Sequence, residues 1–276
     1  MNNTHNQEPH VLAIYNQKGG VGKTAITINL GAILADMGYR VLLIDLDPHG
    51  HLTEGIGLQE AFYPDDDEPT LFQIMVEGKG RIRDVITKAP NDEFYVIPSA
   101  YDMSLAEREL TLARNKEHKL KKIMHEISTE LNFDWILIDC PPLFGNLSDN
   151  ALNAARKVLV PIEANHQSLR ALNLLLNQIE LFESGLDNRV EIVAILPNKV
   201  VQSGVAEEVL TKLHENVGAA LAPFNLRKRV VLEDAWGKGV SISKYEADTQ
   251  ARKQAKEDVV ADYRQLANYL IERFGR

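Results

Sequence analysis

Cysteine is almost absent from this chain: Cys140 is the single cysteine among 276 residues. No disulfide can therefore form within the chain, and there are too few cysteines to hold an iron–sulfur cluster. Long apolar runs are also missing, because none approaches the roughly 20 residues that a helix needs to cross a bilayer. The polar segment 1–10 lacks the apolar core of a signal peptide. We therefore expect a protein of the reducing cytoplasm.

Positive charge is scarcer than negative charge. The 30 Lys and Arg residues face 39 Asp and Glu residues, which gives a formal net charge of −9. Taken alone, this balance argues against a nucleic acid as partner. Net charge is an average, however, and a local basic patch can bind phosphates on an acidic protein, weakly and with strong salt dependence.

Length and composition are ordinary for a soluble globular protein, with 45% hydrophobic and 25% charged residues. The chain is long enough for one large α/β domain. We expect a short disordered arm over residues 1–10 and a single domain over residues 11–276, since no internal repeat or second-domain pattern divides the remainder.

The clearest local pattern is a glycine-rich turn between two apolar segments. Residues 11–15 predict a buried strand and residues 25–37 predict a helix; between them the sequence reads Asn-Gln-Lys-Gly-Gly-Val-Gly-Lys-Thr. A strand, a glycine-rich turn and a helix form the context of a phosphate-binding loop, where backbone N–H groups and the helix N-terminus attract anions. We expect Lys23 to reach the β- and γ-phosphates and the Thr24 hydroxyl to bind Mg²⁺. A loop that merely turns the chain is the alternative, which the flanking residues disfavour.

One departure from the usual pattern is informative. Gln17 stands where the first glycine is expected, and a second lysine, Lys18, follows it. The Lys-Gly-Gly-Val-Gly-Lys-Thr stretch resembles the deviant Walker A motif of the ParA/MinD family of P-loop ATPases, and most closely that of its ParA/Soj-type partition ATPases. That resemblance implies that Lys18 reaches across a dimer interface to the partner's nucleotide. The implied ATP-binding residues are Lys18, Gly19, Gly20, Val21, Gly22, Lys23, Thr24 and Ala25.

Two further apolar segments end in carboxylates. Residues 40–45 and 133–139 predict buried strands that end at Asp45 and Asp139. An apolar strand followed by Asp is the Walker B pattern, whose carboxylate orients the water shell of Mg²⁺. The Asp-x-Asp-Pro and Asp-x-Pro-Pro sequences at these places resemble the same family. We therefore predict a Mg²⁺ site of Thr24, Asp45 and Asp139, in which Asp45 acts through the surrounding water. By the same resemblance Asp47 positions the attacking water, so the catalytic residues are Lys18, Lys23 and Asp47.

Asn198 follows a predicted strand over residues 190–196 and resembles the adenine-reading residue of the family. An amide can both donate to and accept from a purine edge. An Asn that simply starts a turn is the alternative, and the residues alone leave the two interpretations nearly even.

A basic run, Arg227-Lys228-Arg229, lies toward the end of the chain, with Lys238 and Lys244 nearby. Adjacent cations suit phosphate contacts, which carry affinity but little sequence information. A solvated loop is the plainer alternative. The run falls where related proteins carry DNA-binding residues, and we predict that these five residues bind duplex DNA. Val231 stands where many relatives carry an arginine.

The resemblance implies a doubly wound α/β fold with a mostly parallel sheet. It also implies an ATPase that forms an ATP-dependent sandwich dimer, binds DNA without sequence preference, and hydrolyses ATP when a ParB-like adaptor stimulates it. The cofactors would be ATP and Mg²⁺, the cargo plasmid or chromosomal DNA, and the location the nucleoid. The alternatives are a MinD-like membrane regulator, an ATPase that positions another cargo, such as a microcompartment or chemoreceptor array, and a metabolic P-loop enzyme. Residues 249–274 predict the last helix of the fold and no separate membrane-binding tail.

Overall fold

A central sheet of seven strands organises residues 8–65, 68–186 and 189–275, which the computed structural model describes. The strands are β1 (His10–Ile14), β2 (Val41–Asp45), β3 (Thr87–Lys88), β4 (Tyr95–Ile97), β5 (Trp135–Asp139), β6 (Lys157–Glu163) and β7 (Glu191–Asn198). From edge to edge their order is β3-β4-β2-β5-β1-β6-β7. The β3–β4 pair is antiparallel and the others are parallel. This confirms the predicted mostly parallel α/β fold.

Helices cover both faces of the sheet. They are α1 (Lys23–Asp36), α2 (His51–Gly55), α3 (Ala106–Leu112), α4 (Lys119–Glu130), α5 (Asn146–Ala155), α6 (His166–Leu186), α7 (Gly204–Val217), α8 (Val230–Gly237) and α9 (Gln250–Phe274). One core packs α4 to α7 against one sheet face, and the other packs α1, α8 and α9 against the opposite face. Burial on both faces explains why β2 and β5 are apolar at nearly every position.

Two connections shape the carboxyl edge of the sheet. Residues 221–226 run beside β7, with an isolated bridge between Ile195 and Leu221 and a hydrogen bond from the Leu226 amide to Pro197 O at 2.9 Å. The loop after β5 is short, because α5 begins at Asn146. There the Ser148 hydroxyl accepts a hydrogen bond from the Gly145 amide at 2.8 Å, which satisfies a donor at the helix start.

Strand β1 and helix α9 are the first and last regular elements of the described residues. Strand β1 begins at His10, whose amide donates to Asp134 O at 2.9 Å, so pairing starts one residue before the predicted strand. Residues 1–7 of the predicted arm lie outside the described residues. At the other end, α9 packs against α1, and Phe274 lies with its ring centroid 4.8 Å from that of Trp135. The last helix is therefore part of the core, as predicted.

In the part of the chain that the structure describes, no helix combines the length and apolarity needed to cross a bilayer.

Candidate functional site

The glycine-rich turn lies between β1 and α1, at the carboxyl edge of the sheet, where parallel α/β folds bind ligands. Gly20 and Gly22 have φ angles of 77° and 93°, a left-handed conformation that side chains rarely tolerate. A Cβ at Gly19 or Gly20 would meet nothing within 4 Å, so the crest of the loop is open. A Cβ at Gly22 would lie 2.3 Å from Asn198 Nδ2. The loop therefore has one closely packed side and one side free for a ligand.

Two residues at the end of β7 hold the closed side of this loop. Asn198 Nδ2 donates to Val21 O at 2.7 Å, and Lys199 Nζ donates to Gly20 O at 2.7 Å. Lys199 has a φ of 53°, an unusual backbone conformation for a residue with a side chain. Lys199 was not predicted, although its place directly after Asn198 at the predicted carboxyl edge was a usable signal. Asn198 holds the loop through Nδ2, and its contact with adenine stays a prediction.

The predicted Walker pair is formed. The Thr24 hydroxyl donates to Asp139 Oδ2 at 2.7 Å, which joins the start of α1 to the end of β5. Lys23 is 93% buried, since only 7% of it is exposed. Asp45 lies beside Asp139, because these two residues are paired in the parallel register of β2 and β5. The structure thus brings the predicted loop lysine, the threonine and both strand-end carboxylates together.

Burial and crowding perturb the two strand-end carboxylates. Burial raises the pKa of Asp139 well above its usual value, and the neighbouring Asp45 raises it further. The Thr24 hydroxyl and the charge of Lys23 oppose this rise in the Asp139 pKa. Burial also raises the pKa of Asp45 to about 7, against hydrogen bonds from Thr53. Such a group of buried oxygens favours a bound cation.

The donor set also indicates which cation would fit. A hydroxyl and carboxylates are hard oxygen ligands, as Mg²⁺ prefers. Among the described residues, no group of three or more His, Cys, Asp or Glu side chains is arranged to hold a metal alone. Mg²⁺ commonly takes one or two protein ligands and completes its shell with water and substrate phosphates. The site therefore fits Mg²⁺ delivered together with a phosphorylated ligand.

Asp45 makes its contacts away from the glycine-rich loop. Its Oδ2 accepts from the Thr53 amide at 2.9 Å and the Thr53 hydroxyl at 2.7 Å, and its Oδ1 accepts from the Asp47 amide at 3.2 Å. The Thr53 hydroxyl in turn accepts from the Ser99 amide at 2.9 Å. Asp45 therefore ties α2 to the sheet, and any effect of it on a metal would be indirect. Thr53 was missed because no motif marks it.

Asp47 is 94% buried, with 6% exposed, and lies in the turn between β2 and α2. Its Oδ1 accepts from the His49 amide at 3.0 Å. Its amide donates to Asp45 Oδ1 at 3.2 Å, and its charge raises the pKa of both Asp45 and Asp139. Asp47 therefore contacts Asp45 at the edge of the sheet where Asp139 ends β5, and its role in positioning the attacking water stays a prediction.

Lys18 has a partner in its own chain. Its Nζ lies 2.7 Å from Glu163 Oε2, at the end of β6, and both side chains are about one-quarter exposed, at 29% and 27%. The Lys18 amide also donates to Asn16 Oδ1 at 2.9 Å, while Asn16 Nδ2 donates to Pro161 O at 2.7 Å. The sequence analysis did not find Glu163.

A cavity of about 200 Å³ opens beside the glycine-rich loop. Gly22, Ala25 and Asn198 line one part of it, and the basic run 227–229 lines another. Trp236 on α8 also contributes to the wall. The predicted DNA-binding run and the predicted phosphate-binding loop therefore share one cavity, which the sequence analysis did not anticipate.

Most of the predicted DNA-binding cations have partners. Arg227 lies 3.6 Å from Asp262 and Arg229 lies 3.0 Å from Asp258, both on α9. Within the described residues Lys228 has no ion pair.

The other two predicted DNA-binding residues lie away from the cavity wall. Lys238 Nζ stands 4.9 Å from the centroid of the Tyr245 ring, and Lys244 lies 3.4 Å from Asp36.

Cys140 directly follows Asp139 and is fully buried. Burial raises the pKa of its thiol well above the usual value, and Asp139 raises it further. A neutral buried thiol is a poor nucleophile, so Cys140 serves packing here.

The chain matches one family model and is similar in sequence to known proteins over most of its length. A family model described as an AAA domain matches residues 9–192. The chain is 34% identical over 266 residues to the chromosome-partitioning ATPase Soj of Treponema pallidum (strain Nichols), which covers 96% of this chain and 98% of that protein. It is 35% identical over 247 residues to the sporulation initiation inhibitor protein Soj of Bacillus subtilis (strain 168), covering 84% of this chain and 94% of that protein.

A solved structure agrees over a similar extent. The crystal structure of cobyrinic acid a,c-diamide synthase from Mycobacterium smegmatis, with bound ATP analog and magnesium, has a TM-score of 0.77 to this chain. The sequences are 26% identical, and the match covers 97% of each chain.

The raised carboxylate pKa values predict how stability depends on pH. A carboxyl whose pKa is higher in the folded chain than the unfolded value of ~4 binds its proton more tightly when folded, so it loses stabilising effect as the pH rises through its folded pKa. For Asp45 this loss of stability occurs between pH ~4 and about 7. For Asp139 it also begins near pH ~4 and continues up to a folded pKa that lies well above the usual value. Without Mg²⁺ or nucleotide, Asp139→Asn should therefore be more stable than the parent at about pH 8, by at least ~1 kcal/mol, with a smaller difference at about pH 5.

Urea unfolding in a chelating buffer at the two pH values measures this difference. Glu60→Gln, which neutralises an exposed carboxylate, serves as the control and should follow the parent curve. If Asp139→Asn also runs parallel to the parent across the range, the buried carboxylate does not carry the effect.

Proposed function

This chain belongs to the Soj/ParA family of P-loop ATPases, and we propose that it is a ParA-type partition ATPase. ATP would bring two chains face to face, the dimer would bind duplex DNA without sequence preference, and a ParB-like adaptor would stimulate hydrolysis and release. The cargo would be plasmid or chromosomal DNA, and the protein would work on the nucleoid. The observation that carries the proposal is the double-lysine loop joined to the strand-end carboxylate by the Thr24–Asp139 contact.

The proposed substrate is ATP with Mg²⁺, since the Mycobacterium smegmatis protein was solved with an ATP analog and magnesium. Mg²⁺ would neutralise charge on the phosphates. Thr24 and Asp139 would hold it, and Asp45 would act on it only by holding Asp47 and α2 in place. The open crest at Gly19 and Gly20 leaves backbone N–H groups free to bind phosphate oxygens.

Three side chains would then perform the chemistry. Lys23, which is buried beside the carboxylates, would bind the β- and γ-phosphates and stabilise charge during phosphoryl transfer. Lys18 would supply a second positive charge from the partner chain. Asp47 would hold the attacking water, since it contacts Asp45 in the turn that follows β2, at the edge of the sheet where Asp139 ends β5.

The cavity beside the loop is the proposed site of the adenine base. Asn198 lies on its wall and already donates through Nδ2 to Val21 O, so its remaining Oδ1 is the atom available to accept a hydrogen bond from a base. Trp236 offers an aromatic face in the same cavity.

DNA binding would be controlled by ATP through the same cavity. Because the run 227–229 lies on a wall shared with Gly22 and Ala25, a nucleotide in the cavity would meet the segment that carries these cations. The ion pairs of Arg227 and Arg229 with α9 are partly exposed, and such pairs contribute only modestly to stability. Replacing those carboxylates by DNA phosphates would therefore cost little free energy. Dimerisation would double the basic surface, and Lys238 and Lys244 would extend it.

The alternatives have less support. A MinD-like regulator binds the membrane through a free amphipathic helix, and α9 does not supply one, because it packs in the core. A metabolic enzyme is suggested by the name of the structural neighbour at 26% identity, while two Soj proteins at 34% and 35% identity favour partition. A different cargo keeps the same ATPase. A neighbouring gene for an adaptor with a basic N-terminal tail would distinguish the cargoes.

Asp47→Ala tests the hydrolytic assignment. The variant should bind ATP and dimerise like the parent but lose turnover by about 100-fold or more, because the attacking water is no longer held. Phosphate release at saturating ATP measures this. Glu54→Gln, on the adjoining helix α2, neutralises an exposed carboxylate and should keep the parent rate. Turnover of Asp47→Ala at the parent rate would show that another group holds the water.

The two lysines should fail in different ways. Lys23→Ala should weaken nucleotide binding at least about tenfold, the size of one lost charge-assisted contact. Lys18→Ala should bind nucleotide but fail to dimerise, because the missing contact is made only to the partner chain. Sedimentation with a slowly hydrolysed ATP analogue separates these outcomes. A normal dimer of Lys18→Ala would remove the role of this lysine in the partner's site.

The DNA surface can be tested by both loss and gain of charge. Changing Arg227, Lys228 and Arg229 to alanine should abolish ATP-dependent duplex binding in a gel-shift titration at low salt and leave dimerisation intact. Changing Asp258 and Asp262 to asparagine frees two arginines. DNA affinity at low salt should therefore increase, and it should decrease more steeply as salt is added.

A matched control separates local contacts from net charge. Glu207→Gln with Glu215→Gln makes the same charge change on α7 and should have a smaller effect on DNA affinity. If the triple alanine variant instead loses nucleotide affinity, the run serves the nucleotide cavity. If its DNA affinity is unchanged, the DNA surface lies elsewhere.

A further inference from the structure

Lys18 and Glu163 form a close ion pair at the glycine-rich loop that no sequence motif predicts. The Nζ–Oε2 distance is 2.7 Å, which is typical of a charge-assisted hydrogen bond. The two residues are 145 positions apart, and the fold brings them together because β6 lies beside β1 in the sheet. Lys18 is thus engaged within the single chain.

Glu163 is itself held in place by a second donor. Asn165 Nδ2 donates to Glu163 Oε2 at 3.0 Å. The Asn165 Oδ1 atom accepts from the Ser168 hydroxyl at 2.9 Å and the Ser168 amide at 3.2 Å, in the first turn of α6. These hydrogen bonds hold the Glu163 carboxylate near the start of α6, so it would not move with Lys18 toward a partner chain.

The charge state of the pair is also defined. Partial burial would raise the pKa of Glu163, but the hydrogen bond and positive charge of Lys18 outweigh it and hold that pKa below the usual value. Asn165 and the charge of Lys199 act in the same direction. Glu163 is accordingly an anion at neutral pH, and a phosphate brought to Lys18 would approach a second negative charge.

We infer that Glu163 is a positioning residue for Lys18, which holds the lysine in its own chain and competes with the partner's nucleotide for it. This inference rests on the proposed role of Lys18 in the partner's site. To reach across the interface, Lys18 must break its contact with Glu163, because Glu163 stays at the end of β6 in its own chain. Dimerisation therefore gains the contact to the partner's phosphates and loses the contact to Glu163.

The consequence is a higher threshold for assembly. A partly exposed ion pair has a modest strength, which corresponds to about a two- to fivefold change in an equilibrium constant. The pair stabilises the separate chains, and ATP shifts the balance only through its better binding to the dimer. Glu163 would thereby raise, by that modest factor, the concentration of ATP-bound chain at which the dimer forms.

Sedimentation of Glu163→Gln with a slowly hydrolysed ATP analogue tests the competition. The side chain keeps its shape but loses its charge, so the dimer dissociation constant should fall about two- to fivefold. The matched control is Glu191→Gln, which breaks the Lys157–Glu191 pair at the opposite end of β6 and β7 and should leave the constant unchanged. An unchanged or weaker dimer of Glu163→Gln would overturn the inference. Should that variant fail to fold, Glu163→Asp, which shortens the reach, should also tighten the dimer.

Chemical labelling tests the pair in the single chain. Lys18 should react faster with an amine-acylating reagent in Glu163→Gln than in the parent, in samples without nucleotide, as measured by peptide mass spectrometry. Equal labelling rates would mean that the pair does not form in solution, which also overturns the inference.

Failure of the proposed function would look different. If Lys18→Ala dimerises normally, or if the parent chain does not dimerise with ATP at all, the partition mechanism fails and the competition fails with it, even where labelling detects the pair.

Discussion

The arrangement of the candidate site depends on two buried carboxylates, Asp45 and Asp139, that lie side by side. They lie at the ends of adjacent parallel strands, where the register pairs them directly. Burial raises the pKa of both, Asp45 raises that of Asp139 further, and the nearby Asp47 adds to the rise in each. The hydroxyl of Thr53 offsets part of this cost at Asp45, and the hydroxyl of Thr24 and the charge of Lys23 do so at Asp139. Thr24 and Lys23 belong to the glycine-rich segment itself. The same crowding that lowers the stability of the chain alone makes it receptive to a divalent cation.

The glycine-rich loop depends on the neighbouring strands as much as on its own glycines. Asn16 ties its first residues to β6, Glu163 holds Lys18 at the end of that strand, and Asn198 and Lys199 hold its carbonyls from β7. Each tie comes from the carboxyl edge of a parallel strand. A movement of the loop would therefore also displace the start of α6 and the segment that follows β7, which includes the basic run.

The basic run shows how a local charge pattern changes meaning in a fold. In the sequence, Arg227 and Arg229 stand apart from carboxylates, and a free cationic loop was the natural expectation. In the structure α9 packs alongside and brings Asp258 and Asp262 to them. The run also lies on the wall of the cavity beside Gly22. The proposed coupling between ATP and DNA follows from that shared wall and from no feature of the run alone.

The amino-acid sequence by itself determined the parallel α/β architecture, the phosphate-binding loop and the places of Asp45, Asp47 and Asp139. These features are local: apolar strands, glycines and carboxylates at strand ends are set by residues near one another in the chain. Only the tertiary structure decided what those residues contact. The pairs Lys18–Glu163, Lys199–Gly20 and Arg229–Asp258 join positions 145, 179 and 29 residues apart. Such contacts depend on strand order and helix packing, because side chains distant in sequence meet only when the sheet and its covering helices place them on the same edge.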